Sequence, residues 1–125
     1  MMKSTLLVVE DDEAILHLID LALTMSYYKV IKAKTGREAD FRIRTEHPDI
    51  ILLDLGLPDI DGLSLIKRLR ECVDTPIIVI SARTEEETIV KALDYGANDY
   101  MTKPFNIDEL QARIRVALRV TKRPD

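Results

Sequence analysis

Apolar and polar positions along the chain follow two alternating rhythms. The runs "LLVV" (6–9), "IILL" (50–53) and "IIVI" (77–80) are short, continuous and built from Val, Ile and Leu. That pattern fits strands of a parallel sheet covered on both faces. "KVIKA" (29–33) and the weaker "DYM" (99–101) continue the series. Between the runs the period lengthens. Ile15, Leu18, Ile19, Ala22 and Leu23 recur at i, i+3, i+4, i+7 and i+8, the stripe of an amphipathic helix. Ile107, Leu110, Ile114, Ala117 and Leu118 form a similar stripe near the C-terminus, and Leu65, Ile66 and Leu69 predict a helix after Asp61. Segments 36–45 and 85–93 complete five helices, with more mixed faces. Pro48 and Pro76 each stand just before a strand, and Gly36, Gly56, Gly62 and Gly96 fall in connections or at helix ends. Strict alternation of strand and helix predicts an α/β fold of parallel βαβ units with right-handed crossovers.

Composition narrows the class. A chain of 125 residues makes one domain, and 46% hydrophobic with 32% charged residues excludes a disordered segment. The net charge of −4 offers no electrostatic footprint for nucleic acid, so this domain is not expected to bind it directly. Arg113, Arg115, Arg119, Lys122 and Arg123 cluster late in the chain and read as a solvated helix face. Cys72 is the single cysteine, which excludes an internal disulfide and suits a reducing cytoplasm. No apolar run approaches the roughly 20 residues of a membrane span, and no signal-peptide pattern opens the chain. A cytoplasmic protein without a membrane partner is expected.

Ligands of open α/β sheets bind beyond the carboxyl ends of the strands. Glu10, Asp11 and Asp12 follow the first run, Asp54 the third, Ser81 and Ala82 the fourth, and Thr102, Lys103 and Pro104 the fifth. Taken singly, each has a plain structural use: Asp12 as a helix cap, Ser81 as a partner for a loop amide, Lys103 as a surface lysine. Their joint placement at one end predicts a site. Three carboxylates facing one lysine make an all-oxygen ligand set for a hard divalent ion, and Mg²⁺ couples readily to phosphate. A carboxylate beside Mg²⁺ can itself attack a phosphoryl group. Lys103 and Ser81 would then hold the transferred oxygens, and Ala82 leaves room for them.

The ordered set "VVEDD", "LLDLGLPDIDG", "VISA" and "DYMTKPF" resembles a response-regulator receiver domain over residues 5–119. The resemblance implies a flavodoxin-like (CheY-like) doubly wound sheet in the order 2-1-3-4-5, flanked by five helices. It implies Asp54 as phospho-acceptor for a sensor histidine kinase. Mg²⁺, or Mn²⁺ as a substitute, would be held by Asp11, Asp54 and the Gly56 backbone carbonyl, with Glu10 assisting through a water. Ser81 and Lys103 become the phosphoryl-sensing hydroxyl and amine, Tyr100 the aromatic that reports the phosphorylation state, and Pro104 follows a cis peptide bond. Gly56 and Arg83 occupy positions that tune phosphoryl lifetime.

The segment "GANDYMTKPFNIDELQARIRVALR" is similar to the OmpR/PhoB-type subfamily, whose members carry a winged-helix DNA-binding domain. Within it, "DLGLPD" with "ELQARIRVALR" resembles the regulators of potassium uptake. The subfamily implies a phosphorylation-promoted dimer through the fourth helix, fifth strand and fifth helix. Asp99 with Arg113 and Asp94 with Arg115 would supply intermolecular pairs, so a salt-sensitive association is expected. Ile89 departs from the basic residue that would meet Glu109, and Asn98 with Val120 replaces a second acid–base pair. Residues 1–120 are therefore expected to form the receiver and 121–125 the start of a linker. A haloacid-dehalogenase-type phosphatase also uses an aspartyl nucleophile, but needs a second acid where Gly56 stands. A receiver that signals without phosphorylation often lacks part of the acid set or the lysine, all of which this chain keeps.

Overall fold

The computed structural model describes residues 3–121. Five strands, β1 (Thr5–Val9), β2 (Lys29–Ala33), β3 (Ile50–Leu53), β4 (Ile77–Ser81) and β5 (Asp99–Thr102), alternate with five helices. The helices are α1 (Glu13–Met25), α2 (Gly36–Glu46), α3 (Gly62–Arg70), α4 (Glu86–Tyr95) and α5 (Ile107–Thr121). All strand pairs are parallel, and the sheet order is β2-β1-β3-β4-β5. The expected architecture is therefore the observed one.

The continuous runs are continuous because both faces of the sheet are buried. Leu7, Val9, Ile51, Leu53, Ile77 and Val79 point into a core that includes Ala39, Ile43, Leu65, Ile66, Leu69 and Ala92 of α2, α3 and α4. Their neighbours Leu6, Val8, Ile50, Leu52, Ile78 and Ile80 point the other way, onto Leu16, Ile19 and Leu23 of α1 and Leu110 and Ile114 of α5. At about 25 cal/mol per Å² of apolar surface removed from water, these two layers are the main source of stability.

The α1 stripe is rotated from the expectation. Leu16, Ile19 and Leu23 are buried, whereas Leu18 is 50% exposed. The i, i+3, i+4 pattern fits either register, and packing on the sheet selects the one that buries Leu16. Asp12 caps α1 as expected, its Oδ1 accepting from the amides of Ala14 and Ile15. The expected linker overlaps α5 by one residue, Thr121, and the rest of it, 122–125, lies outside the described residues with Lys122 and Arg123. No helix among the described residues is long and apolar enough to cross a membrane.

At the amino end of the strands, Arg70 closes α3 onto the loop between α4 and β5. It donates to the carbonyls of Gly96 (3.0 Å) and Val73 (3.1 Å) and to Asn98 Oδ1 (2.8 Å), and Asn98 Oδ1 also accepts from the Ile77 amide (2.9 Å). Gly96 has φ +128° and sits so close to Arg70 that an added Cβ would lie 2.3 Å from its Cγ. Glycine is required there on both counts.

Candidate functional site

Parallel pairing brings the residues that follow β1, β3, β4 and β5 to one edge. Oxygens of Glu10, Asp11 and Asp54 lie within 4.8 Å of one another. Glu10 is 2% exposed and Asp54 8%, while Asp11 faces solvent. Lys103 Nζ donates to Glu10 Oε1 at 2.8 Å and stands 3.6 Å from Asp54 Oδ1. The Asp12 amide donates to Glu10 Oε2 (3.1 Å), and the Gly56 amide makes a long bond to Asp54 Oδ1 (3.3 Å).

Two of the three carboxylates therefore share one ammonium, and Asp11 adds a third charge beside them. Burial pushes the Glu10 carboxyl above its ordinary range, partly offset by Lys103 and the Asp12 amide and reinforced by the charge of Asp54. Burial alone would pull Lys103 down, but its bonds to Glu10 and the charges of Asp54 and Glu10 leave it raised, so it stays an ammonium. An excess of half-buried negative charge on oxygen atoms alone fits a small divalent cation of the Mg²⁺ kind.

Ser81 is buried, and its Oγ accepts from the Arg83 amide (3.1 Å), so the plain loop-capping use is also realised. Ala82 is exposed beside it. The Lys103–Pro104 bond is cis. Tyr100 is half-buried, and its hydroxyl donates to the Arg83 carbonyl (2.7 Å). The Arg83 guanidinium pairs with Asp61 (3.6 Å) and donates to the buried Thr88 (3.4 Å), reaching the loop that carries Gly56 through the Gly56–Asp61 bridge.

The candidate dimer face is arranged differently from the expected intermolecular pairs. Within one chain, Arg113 Nη1 donates to both oxygens of Asp99 (2.9 and 2.8 Å), and Nη2 to Glu109 (2.8 Å). These carboxylates hold the Arg113 guanidinium above its ordinary value. Asn98, expected only as a missing acid, is bound to Arg70 and Ile77. Asp94 and Arg115 are exposed, and Ile89 lines a cleft with Tyr100, Phe105 and Glu109.

Two acids of the loop after β3 were given no role by the sequence reading, although it starts a helix after Asp61. Asp61 caps α3 through the Leu63 amide (2.9 Å), a role its place before Gly62 signals. Asp59 instead accepts from Gly36 (2.8 Å) and Arg37 (2.9 Å), more than twenty residues earlier, which no local pattern discloses.

The family model for the response regulator receiver domain matches residues 6–115. The chain belongs to that family. This receiver domain is 62% identical to the transcriptional regulatory protein KdpE of Staphylococcus aureus over 121 residues, covering 97% of the chain and 52% of that protein. It is 47% identical to the KDP operon regulator KdpE of Escherichia coli over 125 residues, covering 98% and 56%. The likeness to potassium-uptake regulators within the OmpR/PhoB-type family thus holds, and the chain spans about half the length of the curated relatives it matches. Among solved structures, a two-component response regulator from Clostridium difficile superposes with a TM-score of 0.94 at 27% identity, covering 97% of this chain and 100% of that one. The BeF3-activated receiver domain of Klebsiella pneumoniae RstA gives 0.89 at 33% identity, covering 93% and 99%. Receiver domains bind Mg²⁺ at an acidic pocket, and the acidic cluster of this one lies at the same end of the fold as its lysine.

Proposed function

We propose that Asp54 accepts a phosphoryl group from the phosphohistidine of a sensor histidine kinase, and that the modified chain controls an effector. The observation that carries this reading is the meeting of Glu10, Asp11, Asp54 and Lys103 at one half-buried point, delivered by three separate strands. Asp54 is the nucleophile: one of its oxygens bonds to phosphorus while the phosphorus–nitrogen bond breaks, its electron pair leaving with the imidazole. Asp11, Asp54 and the Gly56 carbonyl would hold Mg²⁺ or Mn²⁺, with Glu10 assisting through a water. When bound, the metal supplies neutralising charge for the phosphoryl oxygens. Lys103 and the Ser81 hydroxyl take the transferred oxygens, Ala82 leaves them space, and Tyr100 ties the new state to the loop after β4. Gly56 and Arg83 set how long the phosphoryl group survives, Arg83 by shielding it from water. The chain is a phospho-acceptor with self-catalysed transfer and slow self-hydrolysis, because no second acid follows the nucleophile at Gly56.

Output follows the names of the relatives. We place the protein in the cytoplasm, with transcription controlled through a C-terminal winged-helix domain joined after residue 121. Phosphorylation favours a symmetric dimer through α4, β5 and α5, using Asp94, Asp99, Glu109, Arg113 and Arg115. Because Asp99 and Glu109 already hold Arg113 within the chain, dimerisation exchanges the pairs of Arg113, and only Asp94 with Arg115 would be a new one.

Intact mass after incubation with acetyl phosphate and Mg²⁺ tests the reading. One added phosphoryl group is expected on wild type and none on Asp54→Asn or a chelated sample. An unmodified wild type under a rapid quench would sink it.

A further inference from the structure

We propose that Asp59 is a positioning residue for the metal site, resting on the phospho-acceptor reading above. The loop from Leu55 to Asp61 carries Gly56, whose carbonyl is the one proposed metal ligand without a side chain to steer it. Two bonds gather that loop: the Gly62 amide to the Leu55 carbonyl (3.0 Å), which belongs to the Gly56–Asp61 bridge, and the Gly56 amide to Asp54 Oδ1 (3.3 Å). Leu57 and Ile60 pack only partly against the core. On the outer flank, an open cleft of about 500 Å³ runs between the loop and α2, lined by Thr35, Arg37, Asp59, Ile60 and Arg68.

Across that cleft the directional tie is Asp59. Its two carboxylate oxygens accept separately from the first two amides of α2, Gly36 at 2.8 Å and Arg37 at 2.9 Å. Two bonds to one planar group fix orientation as well as distance. Gly36 lets the loop come this near, since an added Cβ would lie 2.3 Å from Ile60 Cγ2. The side-chain cap of α2 is a separate bond, from the Glu38 amide to Thr35 Oγ1 (3.0 Å), so the tie can be removed with that cap in place. Asp59 thus fastens the loop to α2, and the loop sets where Gly56 stands relative to Asp11 and Asp54.

Mg²⁺ titration of the whole chain, followed by calorimetry and by the Gly56 amide resonance, separates the possibilities. Asp59→Ala is expected to raise the Mg²⁺ dissociation constant about tenfold, the low end for a residue acting through a ligand. Its transfer rate from acetyl phosphate at saturating Mg²⁺ should change less than the affinity does. Asp59→Asn, which keeps one acceptor oxygen, is expected to show a smaller loss and to decide the matter should the alanine variant not fold. Thr35→Ala weakens the α2 cap without touching the tie and should bind Mg²⁺ like wild type. Equal weakening in Thr35→Ala and Asp59→Ala would overturn the proposal, as would wild-type affinity in both Asp59 variants. If that wild-type affinity is itself lost in Asp11→Asn, only the role of Asp59 fails. A wild type that binds no Mg²⁺ overturns the metal-site reading and the role of Asp59 with it.

Discussion

The two ends of one sheet use polar groups in opposite ways. At the amino end, Arg70, Asn98, Gly96 and Val73 match donors to acceptors, and Asp49 takes the Thr5 amide at 2.7 Å. At the carboxyl end, Glu10, Asp11 and Asp54 crowd together, and Lys103 pairs with Glu10 and Asp54. Donors meet acceptors at the first end, so those groups contribute stability. Like charges are gathered at the second, so the fold carries a cost that a bound cation would relieve.

Breaking the amino end should have the largest effect. Arg70→Ala removes three bonds and the stem packed on Gly96, and is expected to cost about 2–3 kcal/mol in urea unfolding. The same variant should take phosphate from acetyl phosphate at the wild-type rate. At the carboxyl end the sign reverses. Asp11→Asn relieves repulsion without removing the Lys103 pair, and should raise the thermal midpoint in metal-free buffer by roughly 2–4 °C. It should also lose the further rise that Mg²⁺ gives wild type; a lowered midpoint would break the contrast.

Asp59 sharpens it as the smallest effect, being an acid near the site whose bonds are complete. The amides of Gly36 and Arg37 hold its carboxyl below the ordinary value of 3.8. A lowered folded value means stability that is present above about pH 4 and lost as pH falls through it. Stability curves of wild type and Asp59→Asn should therefore converge in acid, and parallel curves would rule this out.

The fold was legible because its signal is repetitive. Buried strands must be apolar on both faces, and each helix must repeat every three to four residues, so all ten elements could be placed. The register of α1 was not, since Leu16 and Leu18 satisfy the same local rule and only packing separates them. The cluster of Glu10, Asp11, Asp54 and Lys103 was legible because parallel strands deliver their final residues to one edge. Ties across the fold were not. Asp59 to Gly36 and Arg70 to Asn98 join residues 23 and 28 positions apart, which no local pattern discloses, while Asp99 and Arg113, 14 apart, are expected as partners between chains and also pair within one.

Sheet order also decides which part of the site gives way first. β3, which leads to Asp54, is held between β1 and β4, whereas β5, which leads to Lys103, is paired along one side only. Displacing β3 breaks two ladders and opens the centre of both cores; displacing β5 breaks one. The anionic half of the site is thus the anvil, and the cationic half, with Tyr100 in the same strand, is the half that fewer ladders hold.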